Sequence, residues 1–167
     1  ADSKGYLWIL DAANPQFQGI KKGGPKLIQV NLDTNQIERI YFFNEEIAPL
    51  HSYLNDVRID YDKGFAYLSD SGLGAIIVLN LKTKKARRLL FQHPSTKAEN
   101  ILLTIEGKEF RMPDGSIYQV HCDGIALTPD KKYIYYQALT GRSLYRIKTK
   151  YLLDEELSEK SLGKKVE

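Results

Sequence analysis

The stretch from Asn55 to Leu90, NDVRIDYDKGFAYLSDSGLGAIIVLNLKTKKARRLL, reads as one complete antiparallel sheet. Val57, Ile59 and Tyr61 alternate with polar residues, Lys63-Gly64 turns the chain, and Phe65 to Leu68 follows as a nearly continuous apolar run. Asp70-Ser71-Gly72-Leu73-Gly74 supplies a second turn, Ala75 to Leu81 is a third strand rich in Ile and Val, and Lys82 to Lys85 reverses into a basic edge from Ala86 to Leu90. A sheet that starts apolar and ends guarded by Lys and Arg has one buried edge and one solvated edge. That is the pattern of a β-propeller blade.

The pattern recurs. Asn55 to Phe65 lines up without a gap on Asp123 to Tyr133, an offset of 68 residues, and Phe65 to Leu68 then corresponds to Tyr133 to Tyr136. Upstream, Gly5 to Asp11 aligns on Gly64 to Asp70 with an offset of 59, and Pro25 to Phe43 completes that unit. An all-β chain of about three blades follows, at about 5–43, 55–91 and 123–150, the first lacking its innermost strand. Residues 92–120 form an insertion with a hairpin from Leu102 to Met112, a candidate lid or a blade cap. A short helix is expected at about 154–162, because Asp154-Glu155-Glu156 suits the positive end of a helix dipole and Gly163 suits its stop.

A chain of 167 residues with 43% apolar content can bury a core as one domain. A propeller, however, closes with about 4 to 8 blades. Three blades therefore imply an excerpt of a longer chain or association of copies, and the start at Ala1 rather than Met favours the excerpt. The expected partner is the remainder of the propeller or another copy, because open blade faces carrying Phe65, Tyr67, Ile76 and Val78 would expose an apolar patch. No apolar run approaches the roughly 20 residues of a membrane span, and no signal peptide is read. The net charge of +3 comes from basic residues at turns and edges, without the interleaved exposed aromatics of a nucleic-acid surface. One Cys and three dispersed His residues match no thiol-based zinc spacing and allow no internal disulfide.

Candidate chemistry lies where polar residues begin the innermost strands. Asn55 and Asp123 share one repeat position and point into the same channel from different blades, and convergent amide and carboxylate oxygens suit a ligand or a hard cation such as Ca²⁺. The competing reading is that each caps a turn. Asp56 would face the opposite side in a regular strand and is read as structural. Asp60, Asp62 and Asp130 are read as turn residues, and Trp8 as core. Ser71 lacks the context of a nucleophile elbow, and Gly72-Leu73-Gly74 precedes a strand, so it is no dinucleotide loop.

Leu54 to Thr83, Gln92 to Ser95 and Asp123 to Thr149 closely resemble the major royal jelly protein and Yellow family, particularly its bacterial members, and Gly5 to Pro15 and Pro25 to Phe43 fit the same pattern. The resemblance implies a six-bladed propeller of which this chain is the middle, and an extracellular or periplasmic location. It also implies a function in holding a small amphipathic ligand in the channel among Asn55, Asp123, Tyr136 and Gln137. The fold is similar, more distantly, to the senescence-marker protein and gluconolactonase group of calcium-dependent lactone hydrolases. There, an Asn ligating the metal matches Asp123, and an Asn near metal and substrate matches Asn55. That group's acidic ligand from an early blade and its Asp from a late blade have no counterparts here. A calcium-dependent lactonase or esterase is therefore the alternative, with Asn55 and Asp123 on the metal.

Overall fold

The computed structural model describes residue 2 and residues 4–167. Tyr67 and Leu68, adjacent in sequence, are both fully buried, but in different cores. This follows from the period of two along a strand, which sends successive side chains to opposite faces. In the middle sheet, Ala66, Leu68, Ala75, Ile77 and Leu79 face the preceding sheet, while Tyr67, Ile76 and Val78 face the following one. A sheet covered on both faces needs an unbroken apolar run, and FAYL and AIIVL supply it.

The middle sheet has the order β4 (Leu54–Asp60), β5 (Phe65–Asp70), β6 (Ala75–Asn80) and β7 (Ala86–Leu89), all antiparallel. Before it comes a three-stranded sheet of β1 (Tyr6–Asp11), β2 (Lys26–Asn31) and β3 (Gln36–Phe42). After it comes a three-stranded sheet of β10 (Cys122–Leu127), β11 (Tyr133–Ala138) and β12 (Tyr145–Lys148). Main-chain hydrogen bonds in both directions between Arg146 and Glu167 extend this third sheet at its outer edge. The insertion carries the expected hairpin, β8 (Leu103–Ile105) and β9 (Lys108–Phe110). Three successive antiparallel sheets packed face to face make the chain all-β and part of a propeller. Among the described residues, the first sheet has no strand equivalent to β4.

Two expectations are corrected. Tyr67, Ile76 and Val78 are no more than 3% exposed, because they belong to the middle blade and the third sheet covers them. Apolar residues that do stand open include three on the first sheet, where Ile9, Ile37 and Phe42 are 43%, 59% and 65% exposed. The single helix expected at about 154–162 is two one-turn helices, α1 (Thr149–Leu153) and α2 (Glu159–Gly163). Asp154 ends the first rather than starting a helix, and the Ser158 hydroxyl caps the second by accepting from Ser161 N. Leu152 and Leu162 anchor both turns in the core beside blade three.

Tight approach at the β5–β6 turn fixes the end of the molecule where the inner strands begin. A Cβ added at Gly72 would stand 2.2 Å from His51 O and 2.7 Å from Tyr53 N, so only glycine lets the turn lie against the chain entering β4. Asp70, wholly buried, organises that junction. Its carboxylate accepts from the main-chain N–H groups of Tyr53, Gly72 and Leu73 and from the Ser52 hydroxyl. Arg88 Nη2 approaches its Oδ2 at 2.7 Å, off the hydrogen-bond direction, as a charge contact.

Candidate functional site

The two inner strands carry the same irregularity at the same repeat position. In β4, Leu54 pairs with Asp70 and Val57 with Leu68, leaving one extra residue on the inner strand at Asn55-Asp56. In β10, Cys122 pairs with Ala138 and Gly124 with Gln137, leaving Asp123 as the extra residue. A β-bulge breaks the alternation of side chains and re-aims those within it. The inference that Asp56 must face away from the site therefore does not hold, since it assumed a regular strand.

Ser69 joins the two bulges. Its hydroxyl accepts from Asp56 N at 3.2 Å and donates to Asp123 O at 2.6 Å, while its side chain is wholly buried between the blades. The negative charge of Asp56 acts on Asp123, whose carboxyl is held above the usual carboxylate range by burial first and by Asp56 second. Asp56 Oδ1 is engaged by Val57 N at 2.8 Å and by Arg58 Nη1 at 2.6 Å, so it is both a structural cap and a neighbour of the site. Among the described residues, the Asp123 carboxylate accepts no hydrogen bond from any protein group. A half-buried carboxylate with no donor, beside a second carboxylate, favours a cation.

Of the four residues read from sequence, the bulges put Asn55 and Asp123 at equivalent positions on neighbouring inner strands. Asn55 is exposed and makes no side-chain hydrogen bond among the described residues. Tyr136 lies elsewhere. It is 1% exposed in the core between the second and third sheets, its hydroxyl 2.8 Å from Ser95 Oγ, so its phenol is withdrawn from the channel. Its repeat mate is Leu68, a core position, and that correspondence was the available signal. Gln137, the repeat mate of Ser69, is exposed opposite Gly124. Asp56 was read as structural and Ser69 was not read at all, because one extra residue in a strand leaves no mark in a period-two pattern.

Beside the bulge, along β4, runs a groove of about 730 Å³ lined by Asp56, Val57, Arg58, Tyr61, Trp8 and Lys131, among others. Its walls mix charge with aromatic surface. Trp8 Nε1 donates to Asp2 at 2.7 Å and lies 2.9 Å from the Tyr61 hydroxyl, which itself bonds Asp2, so Trp8 is a tethered, half-buried wall residue stacked on Tyr41. Asp60 and Asp130 hold turns, Asp60 accepting from Lys63 N and Asp130 from Lys132 N. Calcium takes 6 to 8 oxygen ligands. Among the described residues no three His, Cys, Asp or Glu side chains come together as a metal cluster, so this set does not by itself make a calcium centre.

A family model for the major royal jelly protein matches residues 1–167. The chain belongs to the major royal jelly protein family. Within it, major royal jelly protein 7 of Apis mellifera is 27% identical over 164 residues, which cover 92% of this chain and 34% of the relative. The chain thus spans about a third of that royal jelly protein's length. An uncharacterized protein, EP152R, of African swine fever virus is 29% identical over 75 residues, 45% of this chain and 50% of that protein. The family assignment agrees with the fold, successive antiparallel sheets built on one repeated pattern.

Proposed function

We propose that this royal jelly family chain contributes the mouth of a propeller channel that binds a small amphipathic ligand carrying a positive charge, an aromatic or alkyl amine. The observation that carries the reading is the Asp123 carboxylate, bulged out of its strand, without a hydrogen-bond donor among the described residues, and under the charge of Asp56. An ammonium there would offset both the burial and the repulsion that now act on it. Asn55 and Gln137 stand nearby in the repeat to orient polar groups, and the Trp8 and Tyr61 side of the groove offers aromatic surface for a cation or ring. Arg58 neutralises part of the Asp56 charge, which leaves Asp123 as the principal counter-ion. Tyr136 has no part in contact with the ligand.

The same two carboxylates support a second reading, a calcium ion completed by oxygen ligands from beyond the described residues. Binding of an organic cation is favoured because it needs no further acidic ligand. Calorimetric titration of the intact protein with tyramine and with Ca²⁺, for wild type, Asp123→Ala and Asp130→Ala, tests both. Asp123→Ala is expected to weaken tyramine binding by about tenfold or more, in line with about 1.5–3 kcal/mol for a hydrogen bond to a charged group, and Asp130→Ala to leave it unchanged. Equal losses in the two variants would remove the site. Calcium binding lost in Asp123→Ala, with no tyramine binding in wild type, would select the second reading. An extracellular or periplasmic location belongs to the same proposal. Among the described residues no helix is long and apolar enough to cross a membrane.

A further inference from the structure

Lys97 is held at the β5–β6 turn by contacts that an ordinary surface lysine does not make. It leaves the 3-10 turn Pro94–Thr96 and lays its stem over Gly74, where an added Cβ would stand 2.6 Å from Thr96 O and 3.1 Å from Lys97 Cδ. Glycine at φ +80° lets these two loops close on one another. The amine nitrogen lies 3.2 Å from Leu73 O and 2.9 Å from His121 Nε2. The His121 ring, on a residue only 8% exposed, is oriented by the Ala98 main-chain N–H, which donates to Nδ1 at 2.9 Å.

These contacts fix the protons. A ring nitrogen that accepts a hydrogen bond carries no proton, so the neutral imidazole bears its hydrogen on Nε2, facing Lys97 Nζ. An ammonium has donors only and would meet that N–H donor to donor. A neutral amine has a lone pair, accepts from Nε2–H and still donates to Leu73 O. Nearby negative charge that could restore the ammonium is engaged elsewhere. Asp70, the carboxylate whose charge reaches both Lys97 and His121, is held by Arg88, Ser52 and three main-chain N–H groups. Glu99, two residues on, accepts from Arg142 N and Ser143 N. Burial lowers the Lys97 affinity for its proton.

We propose that Lys97 is a nucleophilic amine that captures small aldehydes as an imine. The Nζ lone pair attacks the carbonyl carbon, forming the C–N bond, while the His121 Nε2–H, released from that lone pair, donates to the carbonyl oxygen. The two amine hydrogens and the carbonyl oxygen depart as water, leaving the C=N double bond, with no other reactant needed. Lys97 remains partly exposed, as such a reaction requires, and its stem is fixed before the aldehyde arrives.

The test is reductive alkylation of the intact protein with propionaldehyde and cyanoborohydride at pH 7, mapped by mass spectrometry of peptides. Lys132, whose side chain is 73% exposed, serves as the internal reference. Lys97 is expected to be modified severalfold faster than Lys132 at pH 7, because the neutral amine is the form that attacks the aldehyde. The ratio should fall as the pH approaches that at which all lysines are neutral. His121→Gln, which offers an amide oxygen to an ammonium, should bring Lys97 back to the Lys132 rate. A wild-type ratio of one or less at pH 7 would overturn the proposal, whatever the variant does, and so would a preference unchanged in a folded His121→Gln protein.

Discussion

Replacing Asp70 with alanine removes the group on which the junction before β4 depends. The carboxylate is wholly buried, the Arg88 side chain beside it is 7% exposed, and three main-chain N–H groups and the Ser52 hydroxyl point at it. Breaking a buried charge pair by deleting one partner costs about 3–5 kcal/mol, because the other charge stays buried without compensation. The orphaned N–H groups act in the same direction, at about 1–3 kcal/mol for each that water cannot reach. Against a typical domain stability of about 5–15 kcal/mol, Asp70→Ala should remove a third or more of the total. Arg88 softens the loss somewhat, since its Nη1 keeps Ile47 O at 2.9 Å and its guanidinium stacks on the Phe91 ring. Urea unfolding of the intact protein, with Asp130→Ala as an exposed turn control expected to stay within about 0.5 kcal/mol of wild type, measures the difference. A loss below about 1 kcal/mol in Asp70→Ala would refute the account of this junction.

Two further outcomes follow from the structure. The Asp123 carboxyl has its proton affinity raised in the folded state, so the folded protein binds more protons than the unfolded one across that window, and stability falls as pH rises through it. Asp123→Asn should therefore stabilise the ligand-free protein at neutral pH, with the gain vanishing below the ordinary carboxylate range, where both states are protonated. Thermal unfolding between pH 3 and pH 7 checks this. The exposed apolar face of the first sheet, with Ile9, Ile37 and Phe42, should make the 167-residue chain self-associate or take up another sheet. Ile9→Lys with Phe42→Lys should shift it toward monomer in light scattering, and a monomeric wild-type chain at micromolar concentration would contradict that expectation.

The blades were readable in the sequence because a sheet buried on both faces and a strand with one polar face leave opposite patterns, and Asn55 to Leu90 contains both. The offset of 59 aligns Gly5 to Asp11 with β5, and among the described residues the first sheet has three strands. The bulges were not, since Asn55-Asp56 and Asp123-Gly124 look like ordinary strand starts until the partner strand is counted against them. That is why Asp56 was read as the outward residue of a regular strand, and why the link that Ser69 makes between the two bulges was not read. The acidic run at Asp154 was read as a helix start on charge alone, whereas the Ser158 hydroxyl, donating nothing to charge patterning, makes the cap. Tyr136 and Gln137 were read together as channel groups, although adjacent strand residues face opposite ways and Tyr136 is 1% exposed in the core.

Carbon-detected NMR titration of the Asp123 carboxyl, in the intact protein with and without tyramine, tests the cation site most directly. Asp130, drawn below the usual carboxylate range by the Thr128 hydroxyl and Lys132 N, is the internal comparison. The account predicts that Asp123 titrates above Asp130 in the free protein and that tyramine, but not its uncharged analogue 4-ethylphenol, moves it downward. An Asp123 that titrates at or below Asp130, or that responds equally to both compounds or to neither, would contradict it.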